Sequence, residues 1–114
     1  HRDTVVSVWE KAVAATVVHY INDVTADLST LDSADFNYAD TAKHWSELKG
    51  FALGLQFNPY SSITDEQFAE LHQLIGDAPM LDSLTIADYL VALESARDIL
   101  ETALEFDAEN VANW

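Results

Sequence analysis

The run Ala42-Lys43-His44-Trp45-Ser46-Glu47 places an imidazole and a carboxylate three residues apart. On a helix that spacing makes them surface neighbours able to reach one point. Helix bundles that hold metals in their cores use the same interval of carboxylate and histidine. Thr41, His44, Leu48, Phe51 and Leu55 recur at steps of three and four, so the spacing puts His44 on an apolar stripe and Glu47 on its border. A histidine aimed into a core must be hydrogen-bonded, held neutral, or bound to a ligand. The residues around it leave all three open.

Other donors can be brought to the same level. If the first two helical segments form an antiparallel hairpin, depth can be counted from their shared turn. At about 1.5 Å per residue, His19 lies roughly 16 Å back from Thr30 and His44 roughly 12 Å beyond Phe36. Asp23, one turn after His19, could join them, and Glu94 on the last long helix falls near that depth. A cluster of His19, Asp23, His44, Glu47 and Glu94 would offer nitrogen and oxygen donors without sulfur. Such a set suits a divalent or ferric cation, with Fe, Mn, Zn or Cu all admissible. The competing reading is a set of structural histidines with satisfied hydrogen bonds. His72 reads as a surface residue, because Glu70, two positions away, points to a different face. Arg97, near Glu94 and Asp98, reads as one half of an interhelical ion pair. No glycine-rich phosphate loop, nucleophile elbow or H-E-x-x-H motif is present, and no serine has an evident base.

The elements that must position these groups are helical. Three glycines and two prolines punctuate the 114 residues, and four helical patterns lie between the breaks. The first spans about 4–30. Val6, Trp9, Val13, Val17, Tyr20, Val24 and Leu28 form one stripe, and Val5, Val8, Ala12 and Ala15 form a second apolar face. A helix apolar on two sides calls for cover on both, so a second helical bundle, a second copy of the chain or the C-terminal tail is expected over helix one. The second pattern spans about 36–57 and stops before Pro59, which biases Asn58 away from helix. Thr64 and Gln67 make a capping box for the third helix, which ends at Gly76. The fourth spans about 85–106 on Ile86, Leu90, Leu93, Leu100 and Leu104. The tail 107–114 is expected to add a short helical turn that docks Val111 and Trp114. With no convincing strand, the pattern predicts an all-α fold, an irregular up-and-down antiparallel four-helix bundle forming a single domain over 1–114.

Twenty acidic residues stand against five basic ones, for a formal charge of −15. Arg2, Lys11, Lys43, Lys49 and Arg97 form no patch, so nucleic acid and anionic membrane surfaces are poor partners. A cation or a basic partner suits this field. No apolar run approaches the roughly 18 residues of a membrane span, so direct membrane insertion is not expected. Without cysteine there is neither a disulfide nor a thiolate metal site. The start at His1 suggests a processed or trimmed chain, with no signal peptide visible.

The block from Ala42 to Asn58, AKHWSELKGFALGLQFN, resembles a segment of the imelysin-like group of bacterial exported proteins, and more closely an uncharacterised secreted branch related to it. The stretches Val18 to Asp23 and Ala96 to Trp114 share in the likeness. The group's hallmark is G-x-H-x-x-E; His44 and Glu47 match its last two residues and Ala42 stands at the glycine. The resemblance implies an all-helical protein of two bundles, of which this chain would be one. It also implies export to the periplasm or outer surface, as a lipoprotein, and a link to iron uptake or cation binding. A metallopeptidase activity is attached to part of the group, but no second convincing zinc-ligand pair is present here. The leading expectation is therefore a non-enzymatic cation-binding module. A metallopeptidase fragment and a purely structural or interaction domain are the alternatives.

Overall fold

The computed structural model describes residues 1–114. They form α1 (Arg2–Leu28), α2 (Tyr38–Gly54) continued by one 3-10 turn (Leu55–Phe57), α3 (Asp65–Ile75), α4 (Ile86–Leu104) and a short α5 (Ala108–Asn113). There is no strand, and no helix is long and apolar enough to cross a membrane.

Local chemistry accounts for most of the boundaries. The Asn37 side chain accepts from the Asp40 N–H at 3.1 Å and opens α2. At α3 both halves of the capping box form: Thr64 Oγ1 accepts from Gln67 N at 3.1 Å, and Gln67 Oε1 from Thr64 N at 2.9 Å. Gly76 closes α3 at φ 84, where a side chain would be strained. Asp107 caps α5 by accepting from Glu109 and Asn110. Thr85 precedes α4 but makes no capping bond; its hydroxyl turns back to Met80 Sδ and the Asp82 carbonyl. Helix four stops at Leu104, short of the expected Phe106, because Glu105 turns left-handed and Phe106 N–H returns to the Glu101 carbonyl.

α1 is the central element. It packs along α2 on one side and α4 on another, while α3 packs on α4 and touches α2. The side-chain pairs run in opposite senses along α1 and α2: Asp27 meets His44, Tyr20 meets Phe51, and Glu10 meets Asn58. Those two helices are thus antiparallel, as the hairpin argument required.

The core is Ala14, Val17, Val18, Ile21, Val24 and Leu28 of α1, Trp45, Leu48, Ala52 and Leu55 of the second segment, Leu71 and Ile75 of α3, and Tyr89, Leu93, Ala96, Leu100 and Leu104 of α4. Its one polar thread joins three helices. Trp45 Nε1 donates to Tyr89 Oη at 3.0 Å, and Tyr89 Oη donates to the Ile75 carbonyl at 2.7 Å. A buried indole N–H and a phenol each need such a partner.

Two sequence expectations are corrected here. The buried row of α2 is Thr41, Trp45, Leu48, Ala52 and Leu55, displaced by one residue at two places from the row that held His44 and Phe51. Trp45 brings far more apolar area to the core than His44, and Ala52 lets the helices approach closely. His44 and Phe51 move to the flank. On α1, Trp9 of the expected core stripe is 48% exposed, because no buried residue precedes Glu10 on that helix. The second apolar face is covered only at its end, where Ala15 lies beside Trp114. Val5, Val8 and Ala12 face outward. The tail behaves as expected: α5 buries Val111, and Trp114 packs edge-on against Phe106.

Candidate functional site

A row of three polar residues runs down α1 at intervals of four: His19, Asp23 and Asp27. On a helix these stack one above another on a single face. α2 lies alongside and inserts His44 between the two aspartates. His44 Nδ1 stands 2.6 Å from Asp27 Oδ2, while His44 Nε2 lies 4.0 Å from Asp23 Oδ2. His19 Nε2 approaches the same Asp23 oxygen at 3.1 Å. Asp23 Oδ2 is thus shared between two imidazoles, one from each helix.

Protonation at His44 follows from the partners. A carboxylate only accepts, so Nδ1 carries the proton that goes to Asp27. That bond holds the His44 pKa above the ordinary histidine value; burial opposes the rise, and the charges of Asp27, Asp23 and Glu47 add to it. Nε2 is left as the nitrogen that faces Asp23. Above the cluster Tyr20 stacks on Phe51, with ring centroids 5.7 Å apart, and meets His19 edge-on. The Tyr20 pKa is pushed up, first by hydrogen bonding to the Glu47 carboxylate and then by burial and the charges of Glu47 and Asp23.

Of the five residues expected to gather, the structure brings together His19, Asp23 and His44. Glu47 is adjacent, and its carboxylate acts on Tyr20, whose pKa it raises. Glu94 is on another side. It is exposed and lines a shallow cleft with Ile21, Thr25, Leu90, Val91 and Arg97. Thr25 is two residues from both Asp23 and Asp27, which at about 100° per residue puts it on the far side of α1. Glu94 therefore has the right height and the wrong azimuth. Asp27 is the member that sequence reasoning missed, although the His19-Asp23-Asp27 interval was its signal. As the side chains stand, no group of three His, Asp or Glu residues forms a ready metal-ligand set.

Two further groups differ from expectation, and a third carried none. His72 is half-buried rather than on the surface. Lys49 Nζ donates to its Nδ1 at 3.0 Å and Phe68 packs on the ring. Burial, then the Lys49 charge, pushes the His72 pKa below the usual value. Arg97 makes no ion pair with Glu94 or Asp98: Nη1 donates instead to Asn22 Oδ1 at 2.8 Å. The Asn22 amide in turn donates to the Val111 and Trp114 carbonyls, each at 2.9 Å, and so ties α1, α4 and α5 at one point. Glu10, read from the sequence only as a helix residue, is 2% exposed. Its carboxylate accepts from the Ser62 N–H at 2.8 Å and from Asn58 Nδ2, pinning the 58–62 loop to α1. A cavity of about 480 Å3 beside it is lined by Arg2, Val6 and Tyr60 among others. Both Glu10 oxygens are engaged by the loop, so the group anchors structure.

Compared with protein-family models, curated proteins and solved structures, the chain matches none.

Proposed function

We propose that this chain is a cation-binding helical module, with His19, Asp23 and His44 as the groups that hold the ion. The observation that carries the reading is the double approach to Asp23 Oδ2, at 3.1 Å from one imidazole Nε2 and 4.0 Å from the other. Two ligand atoms about 2.0–2.1 Å from a tetrahedral metal lie about 3.3 Å apart. The first spacing already suits such a pair, and the second needs His44 to close by about 0.7 Å. The residues also fit by type. Two imidazoles and a carboxylate suit first-row divalent ions. The Asp27 bond to Nδ1 supplies the outer partner that metal-bound histidines ordinarily have, leaving Nε2 to carry the lone pair.

The resemblance to the imelysin-like group supports the same reading through His44. In that frame α1 to α4 form an irregular up-and-down four-helix bundle, one of two in an exported protein of the periplasm or outer surface. Glu47 serves in this proposal to orient Tyr20 over the site. One observation favours the structural alternative: with Asp27 at 2.6 Å, the His44 Nδ1 proton already has its partner and the bond clips α2 to α1.

The two readings separate in thermal melts of wild type, Asp23→Asn and His44→Ala, in chelator and in added Zn, Mn, Cu or Fe. A cation at a hundred times its dissociation constant stabilises the fold by about 2.7 kcal/mol, a rise on the order of 10 °C for a domain of this size. Both variants should lose that gain. The gain should also shrink as pH falls, because protons compete for His44 Nε2. An equal response of all three proteins to every metal would eliminate the site.

A further inference from the structure

We infer that the cavity between the first turns of α1 and the 58–62 loop is a binding site for a small primary ammonium compound, with the Glu10 carboxylate as its counter-charge. The inference is independent of the reading at His19, Asp23 and His44. The buried polar side chains are Glu10, Thr41 and Asn58, and two of these three line this one cavity. Glu10 is the charged member. It is 2% exposed, and none of the ion pairs in the structure includes it. A buried charge is ordinarily matched by an opposite one. The loop supplies hydrogen bonds but no charge: Ser62 N–H and Asn58 Nδ2 each take one acceptor position. An ionised carboxylate has about four. The anchoring role therefore leaves acceptor positions, and the whole of the negative charge, for a guest.

The cavity selects the kind of cation. Its volume of about 480 Å3 lies in the range of small-molecule sites. It is many times the roughly 30 Å3 share of one water, so a bare ion would leave it unfilled. A metal also needs lone pairs around it, whereas Ser62 N–H and Asn58 Nδ2 already aim protons at the two carboxylate oxygens. An ammonium brings protons of its own and takes the acceptor positions that remain, in a charge-assisted bond. The sign of the lining points to a single positive charge. Arg2 and Asp3 pair at 3.8 Å and offset each other, which leaves Glu10 as the one uncompensated charge of the wall. The rest of the wall suits the body of such a molecule. Val6 is apolar, Ser7 and Ser62 bring hydroxyls, and Tyr60, 72% exposed, brings a ring able to cover an ammonium. The formal charge of −15 raises the local concentration of any cation near the entrance.

Butylammonium titrated into the 114-residue chain tests this, followed by nitrogen–proton NMR shifts. The Ser62 amide and the Asn58 side-chain amide should move together and saturate, with a dissociation constant on the order of 1 mM for so small a probe. Butyrate, of the same length and opposite charge, should leave both signals unmoved. Tetramethylammonium, a cation without an N–H, should bind at least about tenfold more weakly. Glu10→Gln should weaken butylammonium at least about tenfold. Because that change also sets an NH2 group against the Ser62 and Asn58 donors, it can loosen the loop. Ser7→Trp avoids this: position 7 is exposed, Glu10 and the loop are kept, and the indole fills the cavity. It should abolish binding with helix content unchanged by circular dichroism. The inference is overturned if the wild type shows no saturable shift at Ser62. It is equally overturned if butyrate or tetramethylammonium does as well as butylammonium, or if either variant binds as the wild type does.

Discussion

Helix α2 shows one histidine to α1 and another meets it from α3, and the two seams treat imidazole in opposite ways. On the α1 side His44 sits among Asp27, Asp23 and Glu47, and its pKa is raised. On the α3 side His72 is half-buried against Phe68, with Lys49 as its donor, and its pKa is lowered. The chemistry of the ring is the same; what differs is the sign of the neighbouring charge and the depth of the seam. Neither could be assigned from the type of residue alone. The seam that favours a cationic imidazole also collects the groups suited to another cation.

The largest effect should come from the buried thread of Trp45, Tyr89 and Ile75. Tyr89→Phe leaves the Trp45 N–H and the Ile75 carbonyl without their buried partner. It should cost about 1–3 kcal/mol in urea unfolding, with little change between pH 5 and 8. A loss that varied with pH would show that the α3 seam is governed by His72 and not by the phenol.

The Asp27–His44 clip should follow in size. Because the folded pKa of His44 is raised, its contribution is fully present below about pH 6.5, the unfolded value, and is lost as pH rises through the folded value. Asp27→Asn should therefore cost about 1 kcal/mol near pH 6, discounted for partial exposure, and progressively less toward pH 8. Equal costs at both pH values would remove the titration from the account of this seam.

His72 should give a smaller effect of opposite sign. Its folded pKa is lowered, so its contribution is present above about pH 6.5 and is lost as pH falls through the folded value. His72→Gln keeps an acceptor for Lys49 but cannot titrate. The variant should gain on wild type as the solution is acidified, as read from melting temperatures at pH 5, 6 and 7. A parallel decline of both proteins would contradict the neutral-imidazole assignment.

The smallest effect is a control on α2 itself. Gly50 lies within the helix, and a Cβ there would meet nothing within 4 Å. Gly50→Ala should add about 0.5–1 kcal/mol through helix propensity, without moving the pH dependence of either seam. A changed pH profile would mean that the seams are coupled through the α2 backbone.

What the sequence made legible follows the range of the interaction. Thr64, Gln67 and Gly76 were readable because a cap is built within four residues. The stop before Pro59 and the docking of Val111 and Trp114 were readable on similar grounds. The face of α2 was harder. The rows 41-44-48-51-55 and 41-45-48-52-55 share three members, and helical periodicity admits both. The choice between His44 and Trp45 was made by packing against α1, α3 and α4. Glu94 shows the same limit: rise per residue gave its depth, but its azimuth depends on how α4 settles on α1. Glu10 was opaque because its partners lie 48 and 52 residues away, in a loop whose own sequence signals only a turn.

Asn22 carries a consequence for the order of events during folding. Its amide bonds reach residues 89 and 92 positions further along the chain, while the helix that bears it is made first. Contacts of that separation close late, since the loop entropy between them must be overcome before any is gained. Helix α1 can pair with α2 as soon as residue 57 has been made. Its other flank waits for α4, whose Arg97 bonds Asn22, and is closed last by residues 111–114. The central helix is thus begun first and finished last, and during that interval its apolar flank is the part of the nascent chain most in need of shelter.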